Sequence, residues 1–169
     1  MRIIPRFEAV WVDLRDYREF TEDVFDSNGA KTGQRPAFRK AAPGETGGKQ
    51  WFDEDDKVLL HPLSLARQEA FNAKLAVCRI CNGSGTSSDG RALCPKCHGN
   101  SPRLSDAKGR VLFVSEFVEG WELKDARGAV IPFDDAHKTS IANESPIVLT
   151  FMAAALDLAQ AIEETTRGN

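Results

Sequence analysis

The chain has 169 residues, 41% of them apolar and 28% charged, with 22 basic and 25 acidic side chains and a net charge of -3. That is enough apolar material for one packed core, which excludes gross disorder, and too little net charge to mark the whole chain for nucleic acid or an anionic membrane. No secretory leader pattern is visible and the longest apolar run, Ile147 to Leu156, is well short of the roughly 18 residues of a membrane span, so a soluble cytoplasmic protein with reduced thiols is expected.

In chain order, residues 2–13 read as a strand. Phe7, Ala9 and Trp11 alternate with Glu8, Val10 and Val12, and Pro5 suits an edge position. Residues 1–26 form this N-terminal strand region. From 27 to 50 the breakers Asn28-Gly29, Gly33, Pro36, Pro43-Gly44 and Gly47-Gly48 predict a long loop or a mobile hairpin arm, a length that compact domains rarely carry without a use. Residues 51–77 then hold a short strand at 57–61 and a helix capped by Ser64 and running to about Val77, with Phe71 and Leu75 on its inner face.

Residues 101–169 form a hairpin and C-terminal helical region. Arg110 to Val118 is ambiguous between helix and strand, being rich in Val and Phe. Trp121 to Phe133 reads as a β-hairpin turning on Asp125-Ala126-Arg127-Gly128, where Gly128 supplies the positive φ such loops need. A final helix is expected from an N-cap at Ser145, with Pro146 at its first position, to about Glu164. Its apolar stripe is broad: Ile147, Phe151, Ala155, Leu158 and Ile162, with Val148, Met152, Leu156 and Ala159 beside it. Such a helix is sandwiched in the core or shared with another subunit, which allows a homo-oligomer. The fold class is therefore α+β: a small mixed domain of N-terminal strand, central helix, β-hairpin and C-terminal helix, interrupted by a cysteine module.

That module, residues 78–100, carries the most specific chemistry. Cys78-Arg-Ile-Cys81-Asn-Gly83 and Cys94-Pro-Lys-Cys97-His-Gly99 each read C-x-x-C-x-G and use all four cysteines of the chain. Two residues between thiolates let a tight turn bring both sulfurs to one side of an ion, and the following glycine lets the backbone double back over them. Two such knuckles give four sulfur ligands, suited to one tetrahedral, structural Zn2+ with bonds of about 2.3 Å; iron is the other ion this donor set accepts. A redox C-x-x-C pair would need a strand-to-helix setting that the glycines deny. Four thiolates leave no open position for water, His98 should point outward beside its ligand neighbour, His61 and His137 stand alone, and no nucleophile elbow or phosphate loop occurs. A non-enzymatic protein with no catalytic residue and no membrane partner is expected.

Charge is unevenly distributed. Residues 74–110 carry seven Lys/Arg against Asp89 and Asp106, whereas residues 111–169 carry four basic and ten acidic side chains. The basic finger therefore admits a second role, as a zinc-finger binding module for nucleic acid or another acidic partner, although no aromatic lies between Cys78 and Cys97 to stack on bases.

Two family resemblances bear on function. The CRICNGSG and CPKCHGN repeats resemble those of DnaJ-type co-chaperones, which implies a structural zinc on Cys78, Cys81, Cys94 and Cys97 and, as the alternative role, a module binding non-native polypeptide; the His-Pro-Asp motif of that family's J-domain is absent. Gly120-Trp121, Asp125-x-x-Gly128 and Pro132-Phe133, followed by a short polar helix and an apolar one, resemble the tail assembly chaperones of long-tailed bacteriophages, as does the helix starting Leu63-Ser64-Leu65-Ala66-Arg67-Gln68-Glu69. That resemblance implies oligomerisation, contacts with tape-measure or tube proteins, and residence in the cytoplasm of an infected bacterial host or in the virion tail.

Overall fold

A three-stranded antiparallel sheet forms one wall of the core. The computed structural model describes residues 8–103 and 106–167, so Pro5 and Phe7 of the expected first strand lie outside the described residues. Within them β1 (Val10–Asp13) pairs antiparallel with β5 (Lys57–Leu60), and β5 with β6 (Val118–Glu122), giving the order β1-β5-β6 with β1 at an edge. Val12, Val58 and Trp121 meet in one cross-strand row on the inner face. A bulge places the extra residue Glu119 in β6, so Val118 opposite Leu60 and Trp121 opposite Val58 both turn inward at a spacing of three.

The Arg110–Val118 ambiguity resolves into both answers. α2 (Ala107–Phe117) buries Gly109, Phe113, Val114 and Phe117, a helical spacing, and passes into β6 with no intervening residue. Phe113 stacks on Phe117 at 5.0 Å, and Phe71 meets Phe117 edge-on at 5.6 Å. Each buried aromatic contributes roughly 2 kcal/mol by area alone. Phe71 comes from α1 (Leu65–Leu75), which is capped as expected by Ser64, whose hydroxyl accepts the Arg67 amide. α1 stops before Val77 because Ala76 turns left-handed (φ 59°) and the Ala76 and Val77 amides close back on Ala73 and Asn72.

Of the two readings of the 27–50 segment, the hairpin arm is the one the fold takes. β2 (Tyr17–Phe25) and the ten-residue β3 (Lys31–Lys40) form a long hairpin, and β4 (Lys49–Gln50) pairs on the other side of β2, giving a second sheet in the order β3-β2-β4. Cross-strand pairing overrides the breakers: Gly33 and Pro36 both lie in β3, an edge strand where proline is tolerated. Leu14 and Tyr17 root the hairpin in the core, and the Tyr17 hydroxyl donates to Asp157 of the last helix at 2.7 Å. Beyond Phe20 the arm is held mainly by its ladder and by surface pairs such as Lys31–Asp23 at 2.8 Å.

The 121–133 hairpin is shorter than expected. β6 takes β5 as its partner, and the return segment joins by backbone through the Lys124–Val130 bridge, the Asp125 amide to Ala129 and the Ile131 amide to Leu123. Its turn is as expected, with Gly128 at φ 80° and Asp125 Oδ1 accepting the Arg127 and Ala129 amides. Trp121 is core, its Nε1 donating to the Ile131 carbonyl and its ring edge-on to the partly exposed Phe133 at 4.6 Å.

α3 (Asp135–Asn143) is capped by Asp134 and leads directly into α4 (Ser145–Arg167). Ser145 is the first helical residue rather than the cap; the Glu144 carbonyl takes the first amides, and the helix runs three residues past Glu164. Val148, Phe151, Met152, Ala155 and Ala159 pack inward as the stripes predict, while Leu156 is exposed. By length and composition Ser145–Thr165 could cross a membrane, with a mean hydropathy of 1.6 over 18 residues, which corrects the sequence reading that nothing approaches that length; its inner face is packed in the core. The one hydroxyl in its buried part, that of Thr150, is satisfied within the helix by the Pro146 carbonyl at 2.8 Å.

Candidate metal centre

The finger is inserted between α1 and α2, and its two knuckles repeat one backbone path. Asn82 and Gly83 (φ 47° and 85°) in the first correspond to His98 and Gly99 (φ 50° and 84°) in the second. In each, an amide three residues on closes back on the second cysteine's carbonyl: Ser84 to Cys81 at 3.0 Å, Asn100 to Cys97 at 2.8 Å. Asn82 and His98 sit in the small left-handed region that Asn and His enter more readily than most residues, and the φ near 85° that follows favours glycine, which is why glycine follows each pair at the same offset. The knuckles meet glycine to glycine: a Cβ on Gly85 would lie 3.2 Å from the Gly99 Cα and 3.3 Å from its carbonyl oxygen. Gly85 also accepts the Cys94 amide at 2.9 Å, and Thr86 and Leu93 form a bridge that closes the loop between them.

This path brings the four expected ligands together. The Sγ atoms of Cys78, Cys81, Cys94 and Cys97 all lie within 4.8 Å of one another, with Cys78–Cys94 at 3.8 Å and Cys81–Cys97 at 3.6 Å. A tetrahedron of thiolates around one ion at about 2.3 Å has edges of about 3.8 Å, so the cluster can hold one metal ion with little adjustment. Cys78 and Cys94 are buried and Cys81 and Cys97 partly so. Around them the finger buries no other large side chain: Gly83, Gly85 and Ser101 complete its interior.

The protons of the cluster are unevenly held. Burial opposes ionisation of Cys81, but the Gly85 amide, 3.3 Å away, and the Cys97 and Cys94 thiols donate to its sulfur and hold it down at about 6. Burial and the interaction with Cys81 push Cys97 up to about 11. The Cys81 amide lowers Cys78 against the pull of burial. Amides thus favour the first thiolates, and the crowding of like charge resists the last. A metal cation held among the four sulfurs would remove that conflict.

The histidines stay apart from the cluster, as expected. His98 is exposed, His61 pairs with Glu119, and His137 Nδ1 lies 2.7 Å from Asp134. Two finger residues went unread in the sequence. Ser101 Oγ accepts the Cys78 amide at 2.8 Å in a buried position, and Arg103 Nη2 donates to the Ser84 carbonyl at 2.9 Å. Both lie beyond the 78–100 boundary, and neither residue type nor spacing distinguishes them. The finger's surface is basic and partly apolar: Ile80 and Leu93 are each 64% exposed, and Arg79, Arg91 and Lys96 enter none of the ion pairs among the described residues.

The chain matches no protein-family model, no curated protein and no solved structure.

Proposed function

We propose that the protein is a non-enzymatic binding scaffold in which Cys78, Cys81, Cys94 and Cys97 hold one structural Zn2+. The observation that carries this is the four-sulfur cluster itself. All of its ligand positions are taken by thiolates of the chain, which leaves no site for an activated water, and its ion joins two knuckles that have no apolar interior of their own. Metal analysis of protein purified without added metal tests the assignment. One zinc per chain, and a cobalt-substituted form with the visible bands of tetrahedral thiolate coordination, are expected. One iron per chain, or no tightly held metal, would contradict it.

The partners proposed for this scaffold are phage tail proteins, tape-measure or tube, met in the cytoplasm of an infected cell or in the tail. Support comes from the sequence resemblance around Gly120-Trp121, Asp125-x-x-Gly128 and Pro132-Phe133. These residues also have scaffold roles that require no partner, since Trp121 is core and Gly128 a turn. Pull-down against separately expressed tube and tape-measure proteins is the test. A stable complex supports the assignment, and salt-sensitive DNA binding that disappears on replacing Arg91 and Lys96 would favour the nucleic-acid role instead.

A further inference from the structure

Away from the finger, a cleft of about 750 Å³ opens between the 124–132 hairpin, the corner where α3 meets α4, and Trp51. Its floor is apolar, made by Ile131, Ile141 and Ile147, with Val130 70% exposed and Trp51 39% exposed at its walls. Its rim is acidic. Asp53, Asp125 and Glu144 line it, and the carboxylates of Asp53 and Glu144 enter none of the ion pairs among the described residues. The one lysine there, Lys124, lies 3.1 Å from Asp55 and also feels Asp53 and Asp56, and His137 at the rim faces Asp134, so the carboxylates outnumber the cations. The surrounding chain adds to the same field, with ten acidic and four basic residues after position 110.

We propose that this cleft binds an extended polypeptide segment carrying lysine or arginine beside an apolar side chain. A volume of this size exceeds what one small cation would fill, and such an ion would leave Val130 and the isoleucine floor wet. An apolar side chain on the floor with basic neighbours on the rim satisfies both surfaces at once, because uncompensated carboxylates repel acidic segments and favour basic ones. The proposal rests on the scaffold reading above and gives it a surface.

Methyl NMR of the metal-bound full chain tests it with two synthetic peptides, acetyl-Gly-Lys-Leu-Arg-Ile-Lys-Gly-amide and the same peptide with glutamate at the three basic positions. The basic peptide should shift the Val130, Ile131 and Ile147 methyls saturably, and the acidic one should not. The double variant Asp53→Asn, Glu144→Gln removes only exposed carboxylates and should weaken binding about fivefold, two exposed charge pairs' worth. Absence of shifts at the cleft, an equal response to both peptides, or undiminished binding by the variant would overturn the proposal. Concentration-dependent shifts at the cleft and at Ile80 and Leu93 without peptide would also overturn it, by identifying the occupant as the finger of a second copy. A tail protein that still bound the double variant would leave the scaffold reading standing while removing the cleft from it.

Discussion

The β2–β3 arm and the finger both project from the core with little apolar interior, and they are held by different kinds of bond. The arm's distal strand is exposed from Lys31 to Arg35 and relies on a backbone ladder interrupted only by a bulge at Thr32, with Arg39 gripping Glu45 through two bonds of 2.8 and 2.9 Å and lying 3.8 Å over the Phe20 ring. The finger has only short bridges and turns, and its interior is sulfur. A ladder is a sum of many small local terms, whereas a four-thiolate site concentrates its stabilisation in one ion. The two should therefore fail under different treatments.

Cys94→Ser should have the largest effect. Cys94 is fully buried at the centre of the cluster, and its loss should end stoichiometric metal retention, removing a binding contribution on the order of 10 kcal/mol from the finger. Metal analysis and amide exchange would show this, with the arm's protection unchanged. Gly85→Ala is the finer probe of the knuckle contact. A Cβ there meets Gly99 backbone at 3.2 Å and must hold φ at 77°. It should cost about 2 kcal/mol, roughly thirtyfold in metal affinity by competition with a chelator.

The arm answers to pH in its own window. The Arg39 guanidinium, with the Ala42 amide, lowers the Glu45 carboxyl from 4.5 to about 2. A depressed carboxylate stabilises the fold above its unfolded value and loses that contribution as pH falls from about 4.5 through about 2. Carboxyl NMR should give Glu45 a midpoint near 2 with or without metal; a midpoint near 4.5 would remove the clamp. The smallest effect is expected from Gly29→Ala. Gly29 and Gly128 sit at φ 79° and 80° with open space around them, so each replacement costs about 1 kcal/mol of backbone strain alone. At Gly128, in the core hairpin, that should lower Tm by about 2–4 °C, whereas at the arm tip it should fray the turn and leave Tm unchanged.

Those two glycines also show what could be read from the sequence. Asp26-Ser27-Asn28-Gly29-Ala30 repeats the pattern of Asp125-Ala126-Arg127-Gly128-Ala129, with the aspartate taking the same two amides in both. The second read as a hairpin outright, because apolar residues flank it, while the first left a loop or a hairpin arm open because it lies among residues that never enter a core. Pairing between polar strands leaves no hydrophobic period, so pattern could not place the bounds of β3, and its Gly and Pro argued for a loop. The cysteines were legible because metal chemistry fixes residue type and spacing together. Local caps such as Ser64 were legible for a similar reason, whereas the bulge at Glu119 and the brace at Ser101 depend on contacts distant in sequence. The cleft was not legible at all, since Trp51, Val130 and Glu144 come from three separate segments.

The most direct test of the account is amide exchange across the whole chain before and after metal removal by a strong chelator at neutral pH under reducing conditions. Protection at the Cys94, His98 and Asn100 amides, which close the knuckles, should collapse, while the β2–β3 ladder and the β1-β5-β6 sheet keep theirs. Unchanged protection in the finger, or its loss throughout the chain in one step, would contradict the claim that the metal holds the finger and the rest of the fold holds itself.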